Sequence, residues 1–97
     1  MTRDTFDPDL VLCPSVHLNG SGFDLLWNAN RTAFDKVQDA LDALRAASPH
    51  GRDFYVQGVG AFDAAARQHI ARVRTLKTVE QELAVIVATL SERRPSR

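Results

Sequence analysis

The sequence predicts an all-α fold, an antiparallel two-helix hairpin with an extended N-terminal arm, which assembles into a helical-bundle oligomer. Two segments carry apolar residues at the alternating three-and-four spacing of helices that pack together, and one stretch containing proline and glycine separates them. The chain has 97 residues, enough for one domain with one small core. Residues 1–97 therefore form a single predicted domain.

Composition excludes several classes of protein. An apolar share of 44% and a charged share of 25% are ordinary for a soluble globular domain. No apolar run approaches the roughly 18 residues of a membrane span, and the first residues lack the features of a signal peptide. Cys13 is the only cysteine, so no internal disulfide can form. We expect a cytoplasmic protein with no membrane partner.

The charges are balanced in total and uneven along the chain. Residues 1–44 hold seven acids and three bases, a net charge of −4, whereas residues 45–77 hold six bases and two acids, a net charge of +4. This asymmetry favours either an anionic ligand at the basic segment or self-association of opposite ends. It is too weak for a protein that binds duplex DNA, so we expect no nucleic-acid partner.

The N-terminal segment, residues 1–20, is predicted to be an extended arm. Pro8 and Pro14 bias the residues before them away from helical dihedral angles. The apolar side chains of this arm either lie on the surface of the hairpin or form a short strand.

Helix 1 is predicted over residues 23–47. Ser21 followed by Asp24 resembles a capping box at its start, and Pro49 ends it because the residue before a proline avoids the helical region. Six positions form a packing seam: Trp27, Asn30, Phe34, Val37, Leu41 and Leu44. Asn30 is a buried amide that sets the register, an amide rotated to the edge, or a ligand contact.

Helix 2 is predicted over residues 61–92, followed by a frayed tail, residues 93–97. Its seam comprises Phe62, His69, Leu76, Leu83 and Leu90, supported by Ala66, Val73, Val79, Ile86 and Val87. Residues 83–88 are apolar on nearly every face, which a two-helix hairpin cannot cover. The arm, a second subunit, or both must cover them.

A first group of candidate binding residues precedes helix 1, in the motif His17-Leu18-Asn19-Gly20-Ser21-Gly22. The free N–H groups and the dipole of a helix start attract phosphate or carboxylate groups. His17, Asn19 and Ser21 can add directional hydrogen bonds. Alternatively, these residues only cap the helix and turn the chain.

A second group lies in the loop, residues 48–60, which at 13 residues exceeds the roughly two to eight usual between packed helices. Arg52 offers a planar fork for phosphate or carboxylate, and Tyr55 and Phe54 offer ring faces on which a base can stack. Asp53 orients Arg52 or accepts a hydrogen bond from a ligand hydroxyl. Alternatively, Asp53 pairs with an arginine and Tyr55 packs on the end of the hairpin.

Helix 2 adds His69 and Arg72, which share a face and lie on or beside the apolar seam. They are ligand contacts, or His69 is a core histidine whose hydrogen bonds are satisfied. In one hairpin the two motifs lie at opposite ends of helix 1, about 38 Å apart. They meet only in an antiparallel dimer, whose symmetry creates two equivalent sites at the interface.

The residue pattern does not indicate catalysis. The histidines, His17, His50 and His69, have no metal-ligand spacing, and no phosphate-binding Walker loop is present. We therefore expect a non-enzymatic protein with no catalytic residues, no metal and no cofactor.

The two motifs together resemble a family of small phage and prophage helical proteins, whose members carry HLNGTS, a helix, PNGRDYY and a second helix containing a histidine followed by an arginine. The resemblance spans about residues 16–90, with His69 and Arg72 in the second helix. Gly22, His50 and Phe54 stand where that pattern has serine, asparagine and tyrosine. The phage context of this resemblance suggests a protein that sequesters a nucleotide immune signal in the host cytoplasm.

The sequence thus favours a homo-oligomer that binds a small anionic ligand, such as a nucleotide, at subunit interfaces. In this hypothesis Arg52, Arg72 and the helix start at Ser21 hold the phosphate and Tyr55 stacks on the base. The main alternative is a structural or adaptor protein whose motifs only fix the hairpin and the oligomer. A weaker alternative is a nucleic-acid accessory protein that uses Arg45, Arg67, Arg74 and Lys77.

Overall fold

The protein is a hairpin of two long helices, as seen in a computed structural model that describes residues 6–17 and 20–94. Helix α1 spans Phe23–Ala46 and helix α2 spans Ala61–Glu92. Three short 3-10 turns, Pro8–Leu10, Gly51–Asp53 and Tyr55–Gln57, lie in the arm and the loop. The described residues form no strand. The predicted all-α hairpin is confirmed, and its assembly into an oligomer stays a prediction.

The start of α1 differs from the predicted capping box. The N-cap residue is Gly22, in an extended conformation, and no side chain hydrogen-bonds to the first turn. Ser21 therefore lies one position too early to reach those N–H groups, and its prediction as the cap is wrong. Asp24 in the first turn still offsets the positive end of the helix dipole.

The start of α2 depends on glycine. Gly60 is its N-cap residue and has a φ of 87°, a left-handed conformation that side-chain-bearing residues adopt only at a cost. Gly58 also has a positive φ, of 109°. These two conformations let the loop reverse direction and enter α2 at Ala61.

The C-terminal end of α2 contacts the arm and the start of α1. Arg93 Nη1 donates a hydrogen bond to the Pro14 carbonyl at 3.4 Å, and Arg94 Cζ lies 4.5 Å from the centre of the Phe23 ring. The prediction of a frayed tail is therefore wrong for Arg93 and Arg94. Residues 95–97 lie outside the described part of the chain.

The seam between the helices contains few buried apolar side chains. Within the described residues these are Phe23, Leu41 and Leu90, and the remaining predicted seam residues of α1 are half-buried. On α2, Phe62 and Val79 are exposed, to 39% and 38%, and Glu80 is buried, so the prediction of Phe62 and Val79 as seam residues is wrong. Glu80 belongs to the seam because it continues the seven-residue spacing of Ala66, Val73 and Val87.

Hydrogen bonds across the hairpin set the register of the two helices. Three pairs join α1, or Ser48 two residues beyond its end, to α2 at 2.9–3.3 Å: Trp27 with Ser91, Gln38 with Glu80, and Ser48 with His69. On α2 the three partners are spaced by eleven residues, three helical turns or about 16 Å. The pairs thus recur at regular intervals along the seam, and a slip of one turn would break all three. Asn30 takes no part, because its amide donates to the Leu26 carbonyl of its own helix at 2.9 Å.

The arm packs against α2. The turn Pro8–Leu10 contacts this helix, and the bond from Arg93 to Pro14 holds the arm near its end. Val85, which lies on the side of α2 away from the seam, is half-buried. The arm thus lies along the helix that carries the apolar run 83–88, and its cover of that run stays a prediction.

Glu80 is the one acidic side chain buried in the described part of the chain. Lys77 Nζ lies 2.8 Å from its carboxylate, and Gln38 Nε2 donates to it at 3.2 Å. The hydrogen bond from Lys77 lowers the pKa of Glu80 most, burial opposes this effect, and the bond from Gln38 and the charges of Lys77 and Arg45 lower the pKa further. The ionised carboxylate is therefore the form that the fold stabilises.

We predict that Glu80→Gln lowers the melting temperature at pH 7 by about 4–8 °C. Charge-assisted hydrogen bonds contribute about 1.5–3 kcal/mol and neutral ones about 0.5–1.5 kcal/mol, so the exchange costs about 1 kcal/mol once the easier burial of the neutral amide offsets part of the loss. A carboxyl group whose pKa is lowered by folding adds stability above its unfolded pKa, and this stability is lost as pH falls through the folded pKa. Thermal unfolding of both proteins at one concentration should therefore show a difference that disappears as the pH falls from about 5 towards 2.

Glu82→Gln is the matched control, because Glu82 is exposed and makes no ion pair with the described residues. It should leave the melting temperature nearly unchanged. Equal effects of the two substitutions, or an undiminished effect of Glu80→Gln at low pH, would contradict the assignment.

Candidate functional site

A cavity of about 390 Å³ opens at the loop end of the hairpin, between the end of α1, the loop and the first turns of α2. Its volume lies within the range of about 300–1,000 Å³ that is typical of small-molecule pockets. We call it the loop-end pocket. Nine residues line it: Ala47, Ser48, Pro49, Asp53, Phe54, Ala65, Gln68, His69 and Arg72. Three predicted site residues, Asp53, His69 and Arg72, are thus brought together.

His69 forms a buried part of the pocket wall. The Ser48 hydroxyl donates its one proton to the Arg45 carbonyl at 2.7 Å, and its oxygen lies 3.3 Å from His69 Nε2. This contact is a hydrogen bond only if Nε2 carries a hydrogen and donates it. In the neutral ring Nδ1 is then an acceptor. The Nδ1 atom has no hydrogen-bond partner among the described residues and is not fully enclosed, so a ligand can donate a hydrogen bond to it.

Arg72 is the cation of the pocket. It is exposed, and no carboxylate of the described residues lies within ion-pair distance, although Asp53 lines the same cavity. The alternative in which Asp53 neutralises Arg52 or Arg72 is therefore wrong. The pocket offers one unpaired guanidinium, one carboxylate and one imidazole, and Gln68 lies one helical turn before Arg72.

Phe54 lines the pocket beside Asp53, whereas Arg52 and Tyr55 on either side of them do not. Two successive 3-10 turns flank Phe54, whose ring packs against Phe62 with the ring centres 6.4 Å apart. Arg52 and Tyr55 are exposed, Tyr55 to 77%, and neither lines the pocket. The predicted grouping of Arg52 and Tyr55 with Arg72 is therefore wrong, because the turn points them away from it.

The first motif lies at the far end of α1. The 24 residues of that helix place it about 36 Å from the loop, so it does not contribute to the pocket of the same chain. The His17 ring lies over Gly20, where it fills the space that a Cβ atom would occupy. The opening that this glycine could offer an anion is thus taken by the chain itself. Ser21 is exposed, and Asn19 lies outside the described residues.

Sequence reasoning missed Gln68 as a lining residue, and it gave Phe54 and Tyr55 the same role, a ring face for a base, although only Phe54 lines the pocket. Three of the lining residues are three and then four residues apart and therefore share one face of the helix: Ala65, Gln68 and Arg72. This spacing is the sequence signal that could have identified Gln68. No sequence signal showed which aromatic residue of the loop turns inward. That choice depends on the contact with Phe62, a residue of another element.

The described residues contain no group of three metal-ligating side chains that could hold a metal ion. The helices among them are too short or too polar to cross a membrane. Comparison with known proteins gives no match: neither a protein-family model, nor a curated protein, nor a solved structure matches this chain.

We predict that neutral His69 is protonated at Nε2. Long-range proton–nitrogen NMR correlation spectra of the labelled protein at about pH 8 should show this tautomer. Ser48→Ala should reduce its population and lower stability by about 1 kcal/mol, because it removes the acceptor. Ser15→Ala, at an exposed serine of the arm, is the control. A ring protonated at Nδ1 would contradict the hydrogen bond to Ser48.

Proposed function

We propose that this protein is a non-enzymatic oligomer of phage or prophage origin that binds a small anionic ligand in the loop-end pocket, and that it sequesters a nucleotide immune signal of the host. The observation that carries this proposal is the unpaired guanidinium of Arg72 inside a cavity of suitable size. A cation that has no internal partner is available to a phosphate or carboxylate group.

The composition of the pocket narrows the ligand class. Arg72 supplies the only full positive charge of the lining, and Asp53 supplies a negative one. A ligand with a single phosphate fits this balance better than a triphosphate, whose charge Asp53 would repel. Phe54 provides a ring face for a base, and Asp53 can accept a hydrogen bond from a sugar hydroxyl or a base amino group. A nucleoside monophosphate or a cyclic nucleotide combines these features.

A structural or adaptor role is the second candidate, and two contacts favour it. His69 donates to Ser48, and Phe54 packs on Phe62, so two lining side chains also tie the loop to the hairpin. In that case the polar residues hold the end of the hairpin together, and the cavity between them has no ligand.

A binding test separates the two functions. We predict that nucleoside monophosphates or cyclic nucleotides shift backbone amide signals of residues 47–54 and 65–72 in NMR spectra, whereas triphosphates bind at least about tenfold more weakly. Arg72→Gln should weaken binding about 10- to 100-fold, because one charge-assisted hydrogen bond contributes about 1.5–3 kcal/mol. It should leave the melting temperature unchanged, because Arg72 is exposed.

Arg67→Gln is the matched control, because Arg67 is an exposed arginine of the same helix outside the pocket. It should retain full affinity. Absence of binding across the nucleotide panel, together with a lower melting temperature for Arg72→Gln, would favour the structural role.

Arg52→Ala provides a further test of the pocket. Because Arg52 is exposed and does not line the cavity, this substitution should change affinity less than about threefold. Loss of binding in isothermal titration calorimetry with Arg52→Ala, and normal binding with Arg72→Gln, would move the site from the pocket to the outer face of the loop.

A further inference from the structure

One side of the hairpin is apolar along nearly its whole length. The seam of each helix consists of two sets of positions, and each set recurs every seven residues. In two antiparallel helices, the residues that precede positions of one set line one side of the hairpin, and the residues that follow positions of the other set line the opposite side. On the first side lie eight residues, seven of them apolar, which we call the apolar flank: Leu26, Ala33, Ala40 and Ala47 of α1, and Ala65, Arg72, Val79 and Ile86 of α2. All eight are half-buried or exposed.

The opposite side differs sharply in composition. It carries mostly charged or polar residues: Asp24, Arg31, Gln38, Arg45, Asp63, Ile70, Lys77, Ala84 and Ser91. The bonds of Gln38 and Lys77 to Glu80 and of Trp27 to Ser91 lie on this polar side. Beyond the loop end, where Ser48 contacts His69, the described hydrogen bonds between the helices therefore lie on the polar side, and none joins residues of the apolar flank.

The chain exposes more surface than a compact monomer, and the flank is nearly large enough for a stable interface. A compact monomer of 10.7 kDa exposes about 5,500 Å², whereas this chain exposes 7352 Å². Its radius of gyration is 18.7 Å, against about 13 Å for a compact domain of this length. The flank is about 36 Å long and, at the width of two helices, about 20 Å wide, so its area is about 700 Å². A stable interface buries about 800 Å² on each partner.

We propose that the apolar flank binds the same flank of a second copy of the chain, which forms a four-helix bundle. The flank is complementary to itself, because α1 contributes alanines at the levels where α2 contributes Val79 and Ile86. When α1 of one copy lies over α2 of the other, these small and large side chains interdigitate. The net charge of the chain is zero, so two copies do not repel each other.

The second copy also borders the loop-end pocket. Ala47, Ala65 and Arg72 belong both to the apolar flank and to the pocket lining. A partner on the flank therefore closes one side of the cavity and removes water from around Arg72, which strengthens its attraction for an anion. In this respect the inference rests on the proposed function, although the dimer itself needs no ligand.

Sedimentation equilibrium without nucleotide tests the interface. The unmodified protein should have twice the monomer mass at micromolar concentration. Ala40→Lys and Val79→Lys should each raise the dissociation constant of the dimer at least about 100-fold, because each places an unpaired charge in an apolar contact. The matched controls Ala46→Lys and Ala71→Lys, at exposed alanines on the outer faces of the same helices, should remain dimeric.

Three results would overturn the dimer: a monomer at every concentration, an unchanged dimer in both flank variants, or equal dissociation in the control variants. Circular dichroism confirms that each variant stays helical. Ligand binding is measured separately with Arg72→Gln. A dimer that binds no nucleotide refutes the proposed function alone, and a monomer that binds one refutes the interface alone.

Discussion

The structure depends on three hydrogen-bonded pairs that hold two helices in one register. The seam contains only three buried apolar side chains among the described residues, too few to fix the helices by packing alone. Polar pairs spaced three helical turns apart supply the missing specificity, because a slipped register leaves their donors and acceptors unpaired in a half-buried seam. The pair of Ser48 and His69 also orients the end of α1 against α2, so the shape of the loop-end pocket follows from the same register.

The same constraint connects the pocket with the proposed interface. Two of the three polar pairs, Trp27 with Ser91 and Gln38 with Glu80, use one side of the seam, which gives the hairpin a polar side and an apolar flank. The third pair, Ser48 with His69, lies at the loop end, where it lines the pocket. The loop-end pocket lies where the apolar flank reaches the loop, and Arg72 is the charged exception on that flank. A charge at the edge of an apolar contact is costly unless it has a partner. An anionic ligand can be that partner, which explains why a binding site and a dimer surface occur together on this small chain.

Periodicity predicted most of the fold, and the misses have local physical causes. Helix α2 has the predicted bounds, α1 ends one residue early, and His69 lies on the seam. Val79 is apolar and lies outside the seam, whereas the seven-residue spacing points to Glu80, whose burial is possible because Lys77 and Gln38 satisfy its carboxylate. Arg52 and Tyr55 were misplaced because the direction of a loop side chain depends on tertiary contacts, here that of Phe54 with Phe62. Helical spacing carries no information about such contacts.

Native mass spectrometry of the full chain with linear and cyclic nucleotides tests the central claim most directly, because it reads subunit count and bound ligand in the same spectrum. The account predicts a dimer that retains one mononucleotide per chain, since each copy contributes one loop-end pocket. A dimer without bound nucleotide across the panel would favour a structural role for the polar residues. A bare monomer would contradict both the site and the interface.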